Sequence, residues 1–172
     1  LARCKNLPPV PTAVVHPCDA SSLSGAVEAY HLGLIVPQLI GPAAKIAAAA
    51  QAAGIDLKDL EIIDVPHSQA AAAKAVEQVR LGRAEILMKG SLHTDELLSA
   101  VVAKETGLRT GRRISHVFIM DIPTYHKVLI VTDGAINIAP TLEDKVDILQ
   151  NAIDLVASLG NPRPQVAILA PV

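Results

Sequence analysis

Residues 85–98 read Glu85-Ile86-Leu87-Met88-Lys89-Gly90-Ser91-Leu92-His93-Thr94-Asp95-Glu96-Leu97-Leu98, and their period changes halfway. Ile86-Leu87-Met88 is an apolar run of strand length, whereas Leu97, Leu98, Val101 and Val102 recur at helical spacing. Lys89-Gly90-Ser91 is the break between them. A strand that ends in a glycine turn and opens a helix leaves backbone N–H groups unpaired, the usual way an α/β protein holds a phosphate. Ser91, His93 and Thr94 add side-chain donors at that corner, and Lys89 adds a positive charge. The same residues also suit a plain strand-to-helix connection with Thr94 as N-cap.

The strand-then-helix pattern holds upstream. Thr12–His16 reads as a first buried strand. Pro17–Ser22 is then a turn whose Asp and Ser side chains cap a helix from Leu23 to Leu32, stopped by Gly33. Gln38–Ile40 is expected as a second strand, and Gly41-Pro42 opens an alanine-rich helix over 43–53 that closes at Gly54. Its alanines suit close packing against a sheet. Leu60–Val65 is a third strand, after which His67 or Ser68 caps a helix from Gln69 to Leu81. The helix after the quoted stretch is expected to run to about Gly107. Strands separated by single helices are βαβ units, so the fold class is α/β, three-layer α/β/α with a mostly parallel sheet.

Arg109, Arg112 and Arg113 around Gly111 read as a solvated hinge and a domain boundary, with residues 1–110 a first α/β domain and 111–172 the start of a second. Ser115–Ile122 and Lys127–Thr132 are strands whose link is too short for a crossover helix, hence an antiparallel pair. Asp133–Pro140 is a loop. Thr141 caps the following helix, with Glu143 and Asp144 in its first turn and Val146, Leu149, Ile153 and Val156 on one face. Gln165–Val172 reads as a last strand. The chain opens without methionine and ends on that strand, so a truncated piece of a longer protein is expected.

Of the 172 residues 51% are apolar but only 2% aromatic, so the core must come from Ala, Val, Ile and Leu. Met88 and Met120 read as core, and His16 and His116 as core histidines in or beside apolar strands. A formal net charge of −2 with scattered Lys and Arg argues against a nucleic-acid partner. No apolar run is long enough to cross a membrane. Cys4 and Cys18 lack paired-ligand spacing, so free thiols in the cytoplasm are expected, with no structural zinc. In an open α/β sheet ligands sit beyond the carboxyl ends of the strands. Polar residues gather there: Asp19 with Ser21 and Ser22, His67 with Ser68, Lys89 to Thr94, and Asp133 to Asn137. They point to a small anionic ligand and name no reaction. There is no GxGxxG after the first strand, no GxxxxGK(S/T), no GxSxG and no metal-ligand spacing.

Met88-Lys-Gly-Ser-Leu-His-Thr94, Arg113-Ile-Ser-His-Val-Phe-Ile-Met120 and Val131-Thr-Asp-Gly-Ala-Ile-Asn137 with Pro140 resemble, in order and spacing, the phosphate acetyltransferase and phosphate butyryltransferase family. His16-Pro-Cys-Asp-Ala-Ser-Ser22 resembles the loop after that family's first strand, and Lys89-Gly90 is closer to the butyryl type or to acetyltransferases fused behind another domain. The resemblance implies an isocitrate/isopropylmalate dehydrogenase-like fold of two lobes with a cleft, commonly a homodimer. It implies reversible transfer of an acetyl or short acyl group between coenzyme A and inorganic phosphate. Coenzyme A would be a substrate and no cofactor would stay bound. It assigns Lys89, Gly90, Ser91, His93 and Thr94 to phosphate or acyl-phosphate contact and Asp133, Gly134 and Asn137 to the lining of the cleft. The thiolate would attack the acyl phosphate directly, leaving Cys4 and Cys18 as bystanders.

Two departures stand out. The helix after His93-Thr94 reads Asp95-Glu96-Leu97-Leu98-Ser99, without the family's arginine and with two carboxylates that would oppose a phosphate unless turned away. The family's late Ser-Arg and Asp motif, which supplies a phosphate-binding arginine and a base for the thiol, is absent from these residues. Catalytic groups are therefore expected outside this chain, which alone should show little turnover. An alternative function is a non-catalytic acyl-CoA-sensing module of the same fold, as occurs behind malic enzymes. A decarboxylating dehydrogenase on that fold would need metal-binding aspartates at a spacing not found here.

Overall fold

In the computed structural model, which describes residues 6–169, the chain divides between Arg109 and Thr110 into two compact units. The first carries β1 (Val10–Val15), α1 (Ala20–His31), β2 (Ile35–Gly41), α2 (Ala43–Ala53), β3 (Glu61–Asp64), α3 (Ser68–Arg80), β4 (Ile86–Lys89) and α4 (Thr94–Val101). Its four strands are all parallel and lie in the order β3-β2-β1-β4. The chain therefore moves outward from β1 to β3, then crosses back over the sheet to place β4 on the other side of β1.

Alternation along β1 decides which helices cover which face. Val14, with Leu39, packs against Leu23, Ala26 and Val27 of α1 and Ile46, Ala49 and Ala50 of α2. Ala13 and Val15, with Ile40, pack against Ala71, Ala72 and Ala75 of α3 and against Leu92 and Leu97. Both faces are thus covered, which is why β1 has four fully buried residues from Thr12 to Val15. The buried alanines bring the helix backbones close to the sheet. Each fully buried Val, Leu or Ile contributes about 1.5–3 kcal/mol relative to exposure, so these layers supply most of the stabilisation.

Several boundaries differ from the sequence reading, each for a local reason. Asp19 accepts from the Ser22 amide at 2.7 Å, so α1 starts at Ala20 rather than Leu23. β2 starts at Ile35 and runs through Pro37, although a proline argues against a central strand. His16 N–H bonds Ile40 O, so the even-numbered residues of β2 face β1 and Pro37 faces the other side. There β3 begins only opposite Gln38, so no ladder bond is lost. Helix α4 ends at Val101, well before Gly107. The chain folds back instead, with the Gly107 amide bonded to Ala103 O and the Leu108 amide to Val101 O. The N-cap of α4 is His93 and not Thr94, which is the first helical residue.

The second unit carries β5 (Val117–Met120), β6 (Leu129–Thr132) and α5 (Leu142–Ser158). β5 and β6 pair antiparallel, as expected, but over four residues each. Thr141 caps α5 reciprocally with Asp144. The helix turns its most buried residues, Ile148 and Ala152, inward, while Val146 is 60% exposed. Met120 is exposed rather than core, along with Phe118 and Ile119 beside it. Gln165–Leu169 joins no strand, and the rest of the expected last strand lies outside the described residues. Arg112 and Arg113 are not a free hinge. Arg112 pairs with Asp154 at 2.6 Å, and the Arg113 amide donates to Asp147 at 2.8 Å, both on α5.

A methyl group placed on Gly90 would lie 2.5 Å from the carbonyl oxygens of both Val15 and His16, whereas one on Gly25 in α1 would meet nothing within 4 Å. Gly90→Ala should lower stability by about 3 kcal/mol or more, because the clash is with backbone. Gly25→Ala should raise it by about 0.5–1 kcal/mol. Urea midpoints of the two variants check both signs.

Candidate functional site

Strand order reverses between β1 and β4, and a cleft for ligands opens at such a point. Two loops leave the sheet there side by side: His16–Asp19 after β1 and Lys89–His93 after β4. The amide of Gly90 donates to Val15 O at 2.8 Å and that of Ser91 to His16 O at 2.9 Å. These two amides therefore extend the β1–β4 ladder past the strand ends. They are not the free donors that a glycine turn suggests from sequence, and Gly90 is required by close approach to β1.

The Ser91 hydroxyl then ties the loops together. Its oxygen lies 2.9 Å from His16 O, 3.1 Å from His16 Nδ1 and 3.3 Å from the Cys18 amide. Leu92 turns the opposite way, into the core beneath α3 and α4, and fixes the loop from below. His93 and Thr94 are exposed at the start of α4. The amides of Thr94 and Asp95, in the first turn, have no acceptor within the helix. Lys89 is exposed and its ammonium reaches only the Gly90 carbonyl, at 3.3 Å.

Asp95 is exposed beside that helix end, and the Glu96 carboxylate folds back over it as half of a capping box. It accepts from the Ser68 hydroxyl at 2.7 Å and from the His93 amide at 3.0 Å, which hold its pKa below the ordinary value. This bond joins the starts of α3 and α4. His67 caps α3 through Nδ1, which accepts from the Ala70 amide at 3.1 Å, and Asp64 accepts from the Ala43 amide at 2.8 Å at the start of α2. His67, Ser68 and Asp19 are therefore all engaged in capping or helix joining. Among the polar groups gathered by the sequence reading, Lys89, His93 and Thr94 remain open.

Sequence reasoning missed His16. It is not a core histidine: it sits past the end of β1 with φ 56°, a conformation rare outside glycine, half-buried and bonded to Ser91. Burial, then the positive charge of Lys45, hold its pKa below the ordinary histidine value. The available signal was the His16-Pro17-Cys18-Asp19 run at the carboxyl end of the first strand. Burial pushes the Cys18 thiol up, so it is no ready nucleophile; Cys4 lies outside the described residues. No group of three or more His, Cys, Asp or Glu able to hold a metal occurs among the described residues. No helix among them is long and apolar enough to cross a membrane.

In the second unit Asp133 is a hub of inward bonds. Its carboxylate accepts from the amides of His116, Ala135, Ile136 and Asn137 at 3.0–3.2 Å and from the Asn137 side chain. Burial alone would raise its pKa, but these donors together hold it below the ordinary value. Asn137 also donates to Ile114 O and accepts from Arg113 Nε, at 3.0 and 2.8 Å. Gly134 lies against the Phe118 ring, 3.0 Å from where a Cβ would stand. These three residues shape their loop first. His116, edge-on to Phe118, has a buried Nδ1 without a partner among the described residues.

The family model described as phosphate acetyl/butaryl transferase matches residues 66–172. The phosphate acetyltransferase of Rhizobium meliloti is 57% identical over 172 residues, all of this chain and 54% of that protein. The phosphate butyryltransferase of Clostridium acetobutylicum is 35% identical over 165 residues, 96% of this chain and 54% of that protein. The crystal structure of a branched-chain phosphotransacylase from Enterococcus faecalis superposes with a TM-score of 0.70 at 25% identity, covering 88% of this chain and 52% of that one. The chain spans about half the length of the curated relatives it matches.

Asp133→Asn replaces one acceptor oxygen of the hub by a donor facing other donors. It should lower stability by about 2–3 kcal/mol. The carboxylate's contribution is present above its unfolded value of about 3.9 and is lost as pH falls through its lower folded value. Urea midpoints measured from pH 7 down to pH 3 should therefore fall less steeply in Asp133→Asn than in the unaltered chain.

Proposed function

Because the chain belongs to the phosphate acetyl/butyryl transferase family, we propose that the whole protein moves an acetyl or short acyl group between coenzyme A and inorganic phosphate. Coenzyme A and phosphate are then its substrates, and we place the enzyme in the cytoplasm as a homodimer, with the two units as separate domains. The observation that carries this reading is the corner at the carboxyl ends of β1 and β4. It combines open first-turn amides at Thr94 and Asp95 with an exposed ammonium at Lys89 and a Glu96 carboxylate already turned to Ser68.

Such a corner suits a reaction in which the thiolate attacks the acyl phosphate carbon directly. Rate then comes from holding two substrates in register and from stabilising charge on the carbonyl oxygen and the leaving phosphate. We assign phosphate contact to Lys89, His93 and Thr94 from their open donors. Gly90 brings that loop against β1, and Ser91 stands beside them with its hydroxyl joining the loops. We assign a cleft-lining role to Asp133, Gly134 and Asn137, on a loop that the bonds between Asp133 and Asn137 hold.

Thioester formation from coenzyme A and a series of acyl phosphates tests this reading on the full-length protein and on this chain in parallel. The full-length protein should turn over. The chain alone should fall short by on the order of 10²–10³-fold or more, the loss typical of removing oxyanion-stabilising groups. Lys89→Met in the full-length protein should raise KM for the acyl phosphate roughly tenfold or more, as expected for losing a hydrogen bond between charged partners. Absence of turnover with every acyl phosphate would sink the acyltransferase reading.

A further inference from the structure

The parallel sheet has two outer edges, and they are finished differently. β3, at one side, reads Glu61-Ile62-Ile63-Asp64, so a carboxylate stands at each end of that edge and blunts it against further pairing. β4, at the other side, reads Ile86-Leu87-Met88-Lys89, three apolar residues in a row with no proline or acidic residue among them. Ile86 is 44% exposed there. Yet both faces of β4 are already covered. Leu87 packs against the cluster under α3 and α4, and Met88 against the cluster under α1 and α2. A strand covered on both faces belongs inside a parallel sheet rather than at its rim.

The backbone of β4 agrees. Gly90 N–H bonds to Val15 O, so the even-numbered residues turn their backbone groups to β1, and Leu87 and Lys89 turn theirs outward. Among the described residues β4 pairs with β1 only, and the outward N–H and C=O groups of Leu87 and Lys89 form no hydrogen bond. Such a row of open backbone groups is a template for one more strand.

We propose that this edge takes a strand from the part of the full-length protein outside residues 1–172, laid parallel to β4. The chain spans about half the length of its curated relatives, so that part is long enough to supply one. A second copy is the weaker occupant. Four residues give far less than the roughly 1,000 Å² of a stable interface, whereas a tethered strand meets the edge at high effective concentration. The parallel sense follows from the sheet itself, in which every pair of neighbours is parallel. A parallel neighbour ends where β4 ends, so the residues that follow it emerge beside Lys89, His93 and Thr94. Groups outside this chain thereby gain a route to the corner. That consequence rests on the acyltransferase reading; the pairing itself does not.

Residue-resolved amide exchange in the full-length protein is the deciding measurement. The amides of Leu87 and Lys89 should exchange as slowly as those of Met88 and Gly90, which face β1. In the chain of residues 1–172 alone they should exchange on the order of 10³-fold faster, the difference between an open edge and a paired core strand. Fast exchange at both amides in the full-length protein overturns the proposal. So does protection that arises in the chain alone as it dimerises, which assigns the edge to a second copy. Close Hα–Hα contacts across the outer side of β4, seen by NMR, mark an antiparallel neighbour and overturn it as well. None of these readouts depends on turnover, so an inactive full-length protein with a protected edge would remove the acyltransferase reading and leave the pairing.

Discussion

The carbonyl oxygen of His16 accepts three hydrogen bonds, from the Cys18 amide, the Ser91 amide and the Ser91 hydroxyl. The first unit depends on that convergence. Sheet pairing alone brings β1 and β4 together only as far as Val15 and Lys89, and everything chemical lies beyond them. The loops stay in register past the strand ends because Gly90 has no Cβ and lets its backbone reach the carbonyls of Val15 and His16. A larger residue there would separate the loops and aim α4 elsewhere. The same contact that closes the sheet thus positions the start of α4.

The polar groups around this corner fall into two kinds. Asp19, Asp64, His67, Ser68 and Glu96 satisfy helix ends or join them, so their chemistry is consumed inside the fold. Lys89, His93 and Thr94 retain open bonding capacity. In the proposed reaction the second kind would meet the substrate, while the first kind keeps their backbone in place. The Asp133 hub does the equivalent in the second unit, where five donors on one carboxylate fix a loop with little secondary structure of its own.

Much of the first unit was legible in the sequence, because its apolar runs are continuous, α1, α2 and α3 end at glycines, and both faces of the sheet are covered. Gly54 ends α2 in the left-handed conformation that its position suggested, and the corner at Lys89–Thr94 stands where the change of period placed it. The start of β2 was hidden by Pro37, since sequence does not reveal which neighbour a missing N–H would have faced. The end of α4 was hidden because Val101 and Val102 fit the helical period until the chain turns back. His16 escaped because a histidine ending an apolar strand looks like core until its partner 75 residues away is known. In the second unit the strand pair and the Thr141 cap were readable, but the inward face of α5 was not. Its apolar residues are spread so widely around the helix that packing, not spacing, selects Ile148 and Ala152.

The seam of α3 against β1 and β2 is built from Ala71, Ala72 and Ala75, each at most 1% exposed, with Val76 and Gln78 the other buried residues of the helix. A core of this kind has little to lose by deletion, since an alanine has only one methyl to remove. Its exposure is to growth. Any added methylene on that seam must push a whole helix off the sheet rather than fill a gap, at about 1–3 kcal/mol each time. Because α3 and α4 are joined through Ser68 and Glu96, such a push would travel to the mouth of the corner. Drift at a position with no polar atom could therefore retune what the open end of α4 admits, through size alone.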